Sequence, residues 1–217
     1  MNLERLRHIR ARRRALNQAI DAFGAFETWE ETCVPSYVHP NRAAVYVAWL
    51  RLFAAVDLAD RHTRWGPVLD FGASVGELAH VLPHTARPYG FVEQEEPAAR
   101  QLLENVPHAE RHTLEGAPAG SFSVVFALDA LEHNENYAEL LEALATKLRP
   151  DGLLIVSGPT ENALYKLGRL VARFDSHYHE TDIHAIEAAA ERTLRRVDVT
   201  TGPFGVPLFR ISAWRRK

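Results

Sequence analysis

Two glycines, Gly72 and Gly76, frame the turn Gly-Ala-Ser-Val-Gly, which directly follows the short run Val-Leu-Asp-Phe at 68–71. Glycine lets a ligand approach the backbone closely, and a helix that starts after such a turn presents its positive end to that ligand. An acid, Glu93, follows Asp70 after about 20 residues, which is the spacing at which a carboxylate meets the hydroxyl pair of a ribose. The combination predicts a site for a ligand that contains a nucleoside.

The same turn permits other interpretations. The dinucleotide fingerprint G-x-G-x-x-G lacks its second and third glycines here, where Ser74 and Glu77 stand, and this disfavours NAD. Residues 72–76 also satisfy G-x-S-x-G, in which Ser74 would be the nucleophile of a serine hydrolase. That fold needs an oxyanion-hole loop after an earlier strand, whereas the residues before Val68 are predicted to be helical. Ser74 and Glu77 match a capping box as well, so we expect Ser74 to cap the following helix.

Histidines provide the candidate proton acceptors, because their ordinary pKa lies near neutrality. His133 follows a predicted strand, while His177 and His179 lie in the cluster His-Tyr-His-Glu-Thr-Asp-Ile-His at 177–184. The cluster approaches metal-ligand spacing but departs from the metallo-hydrolase pattern H-x-H-x-D-H, since Asp182 and His184 each fall one position late. We therefore predict no metal site, and the cluster is either a loop that faces the substrate or a solvated loop.

Polar side chains beside the predicted site are candidates for contact with a substrate. Two of them follow the strand that ends near Val156, a third lies in the histidine cluster, and the last two lie between the first two predicted helices. These candidates are Asn162, Tyr165, Tyr178, Tyr37 and His39.

The elements that must position these residues alternate along the chain. Apolar residues at helical spacing predict helices over 3–26 and 41–60, a helix directly after the glycine turn, and helices over 97–105 and 136–148. Asn136 is the expected N-cap of the last of these. Short apolar runs predict strands at 68–71, 89–93, 122–128 and 153–156. The segments 194–200 and 208–214 resemble two strands joined by a loop. Such alternation indicates a mainly parallel sheet covered on both faces, which binds ligands at the carboxyl ends of its strands. We divide the chain into an N-terminal helical segment, 1–64, and an α/β domain, 65–217.

Composition limits the classes of function. The 217 residues are 47% hydrophobic and 24% charged with a net charge of -3, which excludes a disordered chain and disfavours binding of nucleic acid over the whole surface. The chain has a single cysteine, Cys33, and no apolar signal, which predicts a cytoplasmic protein. It has no stretch of about 18 apolar residues, which predicts that no segment spans a membrane. A run of arginines in the first helix could still contact RNA phosphates: Arg5, Arg7, Arg10, Arg12, Arg13 and Arg14.

Taken in order, several motifs resemble those of the class I S-adenosylmethionine-dependent methyltransferases. They are residues 68–77 (VLDFGASVGE), Glu93, 121–128 (SFSVVFAL), 131–133 (LEH) and 148–157 (LRPDGLLIVS). The resemblance implies an α/β fold with a doubly wound, mainly parallel, seven-stranded sheet whose last strand is antiparallel. It also implies that the N-terminal helices form a lid.

By position, the resemblance implies which residues hold the cofactor. The glycine turn would surround the methionine portion, Glu93 would hold the ribose hydroxyls, and Leu128 would offer backbone groups to the methionine end. The full set of implied cofactor positions is Asp70, Phe71, Gly72, Ala73, Ser74, Gly76, Glu93, Gln94, Leu114, Leu128 and Asp129.

The predicted function is transfer of a methyl group from S-adenosylmethionine to oxygen or nitrogen of a small molecule, with S-adenosylhomocysteine as product. Two alternatives remain: a catalytically silent module that binds the cofactor or a partner, and an RNA methyltransferase that uses the arginine-rich helix. The apolar stripe of that helix could also pack against a second copy of the chain, which would make a homodimer.

Overall fold

A computed structural model describes residues 3–20, 34–160, 182–202 and 207–217 of the chain. Its helices are α1 (Leu3–Ala19), α2 (Val34–Val38), α3 (Arg42–His62), α4 (Glu96–Asn105), α5 (Tyr137–Lys147) and α6 (Ile183–Thr193). Its strands are β1 (Val68–Phe71), β2 (Tyr89–Val92), β3 (Glu110–Arg111), β4 (Phe122–Leu128), β5 (Leu148–Pro159), β6 (Leu194–Gly202) and β7 (Phe209–Arg216). Single 3-10 turns occupy Glu77–His80 and Leu131–His133.

The strands form one seven-stranded sheet in the order β3-β2-β1-β4-β5-β7-β6. Strands β1 to β5 pair in parallel, while β7 runs antiparallel to both β5 and β6. The strand order reverses at β1, because β2 lies on one side of it and β4 on the other. Ligands bind at such a switch point in open α/β sheets. The predicted doubly wound sheet with its antiparallel last strand is confirmed.

Each face of the sheet has its own apolar core, since alternate side chains of a strand point to opposite faces. Trp49 of α3 and Leu102 of α4 share one core with Phe126 of β4. Leu144 of α5 shares the other core with Val125, the neighbour of Phe126. Because Ile9 and Leu16 of α1 belong to the first core as well, the leading helices are packed on the sheet. None of the described helices is long and apolar enough to cross a membrane.

Three local predictions differ from the structure. The first helix ends at Ala19, and residues 21–26 of its predicted span lie outside the described residues. The glycine turn leads into a 3-10 turn and not an α-helix, because Pro83 cannot donate a backbone hydrogen bond soon afterwards. Asn136 precedes α5, but its side chain makes no capping bond, since its backbone lacks the extended conformation that a capping residue adopts.

Strand β5 is longer than predicted and begins at Leu148 instead of Leu153. Its pairing with β4 shifts register between Phe122 and Val124, so residues 149–152 form an irregularity inside the strand. Gly152 lies there because a Cβ at this position would be 2.9 Å from the Phe122 carbonyl oxygen. The strand then continues past Val156 to Pro159, at the edge where the site residues lie.

Candidate active site

The glycine turn is held against the end of the neighbouring strand β2. The backbone N–H groups of Gly72 and Ala73 both donate to the carbonyl oxygen of Val92, at 2.9 and 3.4 Å. Gly72, Ser74 and Gly76 have φ of +70°, +49° and +82°. Left-handed backbone costs glycine little, whereas at Ser74 it stores strain that the surroundings must hold in place.

Packing explains both glycines of the turn. A Cβ at Gly72 would lie 2.5 Å from Cβ of Ala130, which follows β4, and a Cβ at Gly76 would lie 2.8 Å from Cγ of Leu102 in α4. The turn therefore touches the loop after β4 on one side and helix α4 on the other. Close approach of a ligand to this backbone stays a prediction.

Ser74 is not the cap that its sequence pattern predicts. Its hydroxyl is buried and makes no hydrogen bond among the described residues, and the N-cap position of the 3-10 turn belongs to Gly76. The left-handed backbone of Ser74 turns its N–H toward Glu93, so it cannot adopt the extended conformation of a cap. Within the described ranges, no histidine is hydrogen-bonded to this hydroxyl, as the activation of a hydrolase nucleophile would require.

Glu93, just beyond β2, links the two loops of the site. Its carboxylate accepts the backbone N–H of Ser74 at 2.7 Å and that of Glu95 at 2.9 Å. These two bonds hold a half-buried carboxylate beside the glycine turn. A carboxylate has about four acceptor positions, so further positions remain for hydroxyl groups of a ligand. A ribose is therefore compatible with this side chain.

Asp70 of β1 is buried and faces the first core. Tyr89 donates its phenolic O–H to the carboxylate at 2.6 Å. Burial raises the pKa of Asp70 to about 7, although the Tyr89 hydrogen bond lowers it. Phe71, the next residue, is buried in the opposite core. Only backbone groups of Phe71 can therefore face a ligand at this edge.

The end of β4 is fixed by a residue of the N-terminal helices. Asp129 has φ of +48°, accepts the Ser157 hydroxyl at 2.7 Å, and forms a close ion pair with Arg51 of α3. Its N–H donates to the Ser157 carbonyl oxygen at 3.1 Å. The interruption of the apolar run 43–56 by Arg51 was the available sequence signal for this contact, which sequence reasoning missed.

A buried carboxylate, Glu132, lies in the 3-10 turn that follows β4. Neither of its oxygens makes a hydrogen bond within the described part of the chain. Burial raises its pKa to about 7, and the nearby Arg51 guanidinium opposes the shift. His133, the predicted base, is exposed at the next position. Sequence reasoning also missed Glu132, although it is the middle residue of the motif Leu-Glu-His.

Helix α1 is tied directly to the glycine turn. Arg12 donates from Nε and Nη2 to the two oxygens of Glu77, at 2.9 and 2.7 Å, and Glu77 follows Gly76. Glu77 is buried, and burial raises its pKa despite the lowering effect of Arg12. This pair anchors the N-terminal segment beside the candidate site.

Two predicted substrate residues lie buried among the N-terminal helices. Tyr37 packs against Trp49 with ring centroids 5.3 Å apart. The His39 ring accepts the N–H of Asn41 at 3.0 Å, and burial lowers its pKa. Their contact with a substrate stays a prediction.

The remaining predicted residues divide into three groups. Gln94 is exposed beside Glu93, and Leu114 is half-buried against the second core. Five lie outside the described residues: Asn162, Tyr165, His177, Tyr178 and His179. Among residues that are described, no three His, Cys, Asp or Glu side chains are grouped to hold a metal ion.

Three strand ends therefore meet at one edge of the sheet. The glycine turn after β1, Glu93 after β2 and the loop after β4 are joined by the contacts above, with Glu132 buried beside them. Backbone groups and an acceptor carboxylate fit a nucleoside-containing cofactor. A buried carboxylate with a pKa near neutrality can take a proton from a reacting group.

Known proteins share this architecture. A sequence profile of the family described as "Methyltransferase domain" matches residues 40–195. The PH0226 protein of Pyrococcus horikoshii OT3 has a TM-score of 0.65 at 15% identity, over 84% of this chain and 96% of that chain. The N-methyltransferase NodS of Bradyrhizobium japonicum WM9, in complex with S-adenosyl-L-homocysteine, has a TM-score of 0.62 at 13% identity, over 77% and 86%.

A further similar structure is the TehB-like SAM-dependent methyltransferase of Corynebacterium glutamicum, with a TM-score of 0.59 and 14% identity over 77% of this chain and 88% of that chain. No curated protein sequence matches the chain. At these identities the structures share the fold.

Proposed function

The chain belongs to the S-adenosylmethionine-dependent methyltransferases, and from this premise we propose that it transfers the methyl group to an oxygen or nitrogen atom of a small molecule. The observation that carries the proposal is the junction of the glycine turn, Glu93 and the β4 loop at one edge of the sheet. The buried Glu132 lies in the 3-10 turn that follows the β4 loop.

The residues at the junction have distinct proposed tasks. Glu93 accepts hydrogen bonds from the ribose hydroxyls, because its carboxylate is already aligned by two backbone N–H groups. Backbone groups of the glycine turn and of Leu128 and Asp129 hold the methionine portion. When bound, the cofactor would supply a methyl group on a sulfonium sulfur: the acceptor atom would bond to the methyl carbon in line with the carbon–sulfur bond, and S-adenosylhomocysteine would leave.

Glu132 is the proposed general base, which takes the proton from the small molecule that receives the methyl group. Its carboxylate is buried beside the end of β4 and accepts no hydrogen bond from another residue within the described ranges. A buried group with a pKa of about 7 is half deprotonated at neutral pH, which suits a general base. His133 stays an alternative base at the adjacent position.

The N-terminal segment 1–64 is the proposed acceptor-binding part of the protein. Arg12 and Arg51 fasten it to both sides of the site, through Glu77 and Asp129. Tyr37 and His39 of this segment are the proposed contacts, together with residues after β5: Asn162, Tyr165 and Tyr178. A chain with a single cysteine cannot form an intramolecular disulfide, and the cytoplasm is the proposed location.

A small acceptor is favoured over RNA because part of the arginine run is engaged within the chain. Arg5 binds Asp57 at 2.9 and 2.6 Å, and Arg12 binds Glu77. These two arginines are therefore not free to follow a phosphate backbone.

The cofactor role is tested by isothermal titration of S-adenosylhomocysteine into Glu93→Gln. Loss of the charged acceptor should weaken binding about 10- to 100-fold. Glu95→Gln is the matched control, because it removes the same charge two residues away from an exposed side chain and keeps the N–H that binds Glu93. Equal affinities of the two variants would contradict the role of Glu93.

The acceptor class is tested by incubating the protein and labelled S-adenosylmethionine with a fraction of small metabolites and, separately, with total RNA. Label should enter the metabolite fraction and should disappear with Glu93→Gln. Label in RNA alone would refute the small acceptor. Cofactor binding without any transfer would instead identify a silent module.

A further inference from the structure

A cavity of about 520 Å³ lies between α1 and the start of α3, apart from the junction described above. Its charged lining consists of Arg10, Arg13 and Arg14 of α1 and Arg42, the first residue of α3. Buried Ile9 and Val45 form its apolar part. The volume lies within the range of small-molecule sites.

The cavity concentrates positive charge in a protein whose net charge is -3. None of the described lining residues is acidic, and none of the four arginines forms an ion pair with another described residue. The other arginines of α1 behave differently, since Arg5 and Arg12 each bind a carboxylate with two hydrogen bonds. Four like charges in one cavity attract an anion, so an anionic ligand is the complementary occupant.

Arg13 gives a second observation at the same place. Its Nη2 donates to the His39 carbonyl oxygen at 2.9 Å, which fixes the guanidinium. Its Nε is buried and has no acceptor within the described ranges. A buried donor without an acceptor is costly, and an oxygen-rich ligand would satisfy it.

We infer that this cavity binds a small molecule that carries phosphate groups. Guanidinium groups bind phosphate oxygens with paired N–H donors, which suits a site with several arginines. The amino end of α3 adds its positive dipole at Arg42. The concave shape and limited volume fit a compact polyanion and not a long nucleic acid strand.

Pyrophosphate is the probe for this site. Its affinity is measured by calorimetry and by thermal melting, against sodium chloride of equal ionic strength. The wild-type protein should bind pyrophosphate and melt at a higher temperature with it, whereas Arg14→Gln/Arg42→Gln should bind about tenfold or more weakly. Arg7→Gln is the control, because Arg7 is an exposed arginine of the same helix that does not line the cavity, and it should change the affinity less than about twofold.

Equal pyrophosphate affinity of the double variant and Arg7→Gln would overturn the inference. So would preference for an RNA oligonucleotide whose affinity grows with length and falls in Arg7→Gln as well, since that pattern indicates a surface track. Because pyrophosphate binding needs no cofactor, the inference does not rest on the proposed function: pyrophosphate binding without S-adenosylhomocysteine binding would refute only the latter.

The source of the phosphate is distinguished by treating the metabolite fraction with phosphatase before the transfer assay. If the acceptor itself carries the phosphate, treatment and the double variant should both reduce label incorporation. If a separate anion occupies the cavity, incorporation should survive the treatment and respond to added pyrophosphate.

Discussion

The Arg12→Met substitution tests whether burial determines how much an ion pair of α1 contributes to the free energy of unfolding. Arg12 and Glu77 have side-chain exposures of 19% and 0%, and the substitution would leave the Glu77 carboxylate buried without its partner. Removing one partner of a buried pair costs about 3–5 kcal/mol. For a chain of this length, about 2–4 °C per kcal/mol gives a fall in melting temperature of roughly 6–20 °C.

Arg5 and Asp57 provide the matched comparison on the same helix. Their hydrogen bonds are as short, at 2.9 and 2.6 Å, but the side chains are 34% and 47% exposed. Asp57→Asn should therefore cost less than about 1 kcal/mol, because water screens an exposed pair. Urea unfolding of both variants measures the difference in the free energy of unfolding.

The pH dependence of the Arg12→Met loss gives an independent check. Burial already raises the pKa of Glu77, and loss of Arg12 should raise it further. At pH 5 the folded variant can protonate Glu77 and avoid the unpaired charge, so the loss should be smaller than at pH 8. Arg12→Met/Glu77→Gln should recover stability at pH 8. A loss no greater than that of Asp57→Asn, or no recovery in the double variant, would refute this reasoning.

Two further predictions concern the junction. A base with a pKa of about 7 acts when it is deprotonated, so the transfer rate of the wild-type protein should rise between pH 6 and 8, and Glu132→Gln should abolish this rise. The same substitution should stabilise the fold at pH 8 by on the order of 3 kcal/mol, because the raised pKa means that ionised Glu132 destabilises the folded state. An unchanged pH–rate profile would contradict the first part. Gly72→Ala should destabilise by about 1–3 kcal/mol through the 2.5 Å approach to Ala130 and the positive φ. Ala130→Gly should restore part of that stability in denaturant titrations, and no restoration would refute the packing explanation.

Local signals predicted six of the seven strands, whereas β3 (Glu110–Arg111) was not predicted from them and only the family resemblance implied a seventh strand. The apolar run at 122–128 is β4 and the run at 68–71 is β1, because a strand buried on both faces must be apolar along its length. Residues 194–200 lie within β6, a partly exposed strand at the edge of the sheet. The glycine turn and Glu93 were predicted to lie together because neighbouring parallel strands end at one edge, and the structure joins them through Ser74. The fold class follows from this order of elements.

Capping and turn details could not be predicted in the same way. Ser74 matches a capping box, yet its N–H is held by a carboxylate from another strand, which overrides the local pattern. Strand β5 extends through Pro150 and Gly152 because pairing with β4 tolerates an irregularity that the turn residues alone would not suggest.

By itself, the sequence determined the alternating elements, the family motifs and the edge of the sheet where a ligand is predicted to bind. Periodicity shows which face of a helix is apolar, but it does not identify the partner of a charge on a distant element. Only the tertiary structure decided that Arg12 meets Glu77, that Arg51 meets Asp129, and that Glu132 is buried while His133 is exposed. These outcomes depend on how residues far apart in the chain are packed, because burial and charge pairing are properties of three-dimensional neighbours.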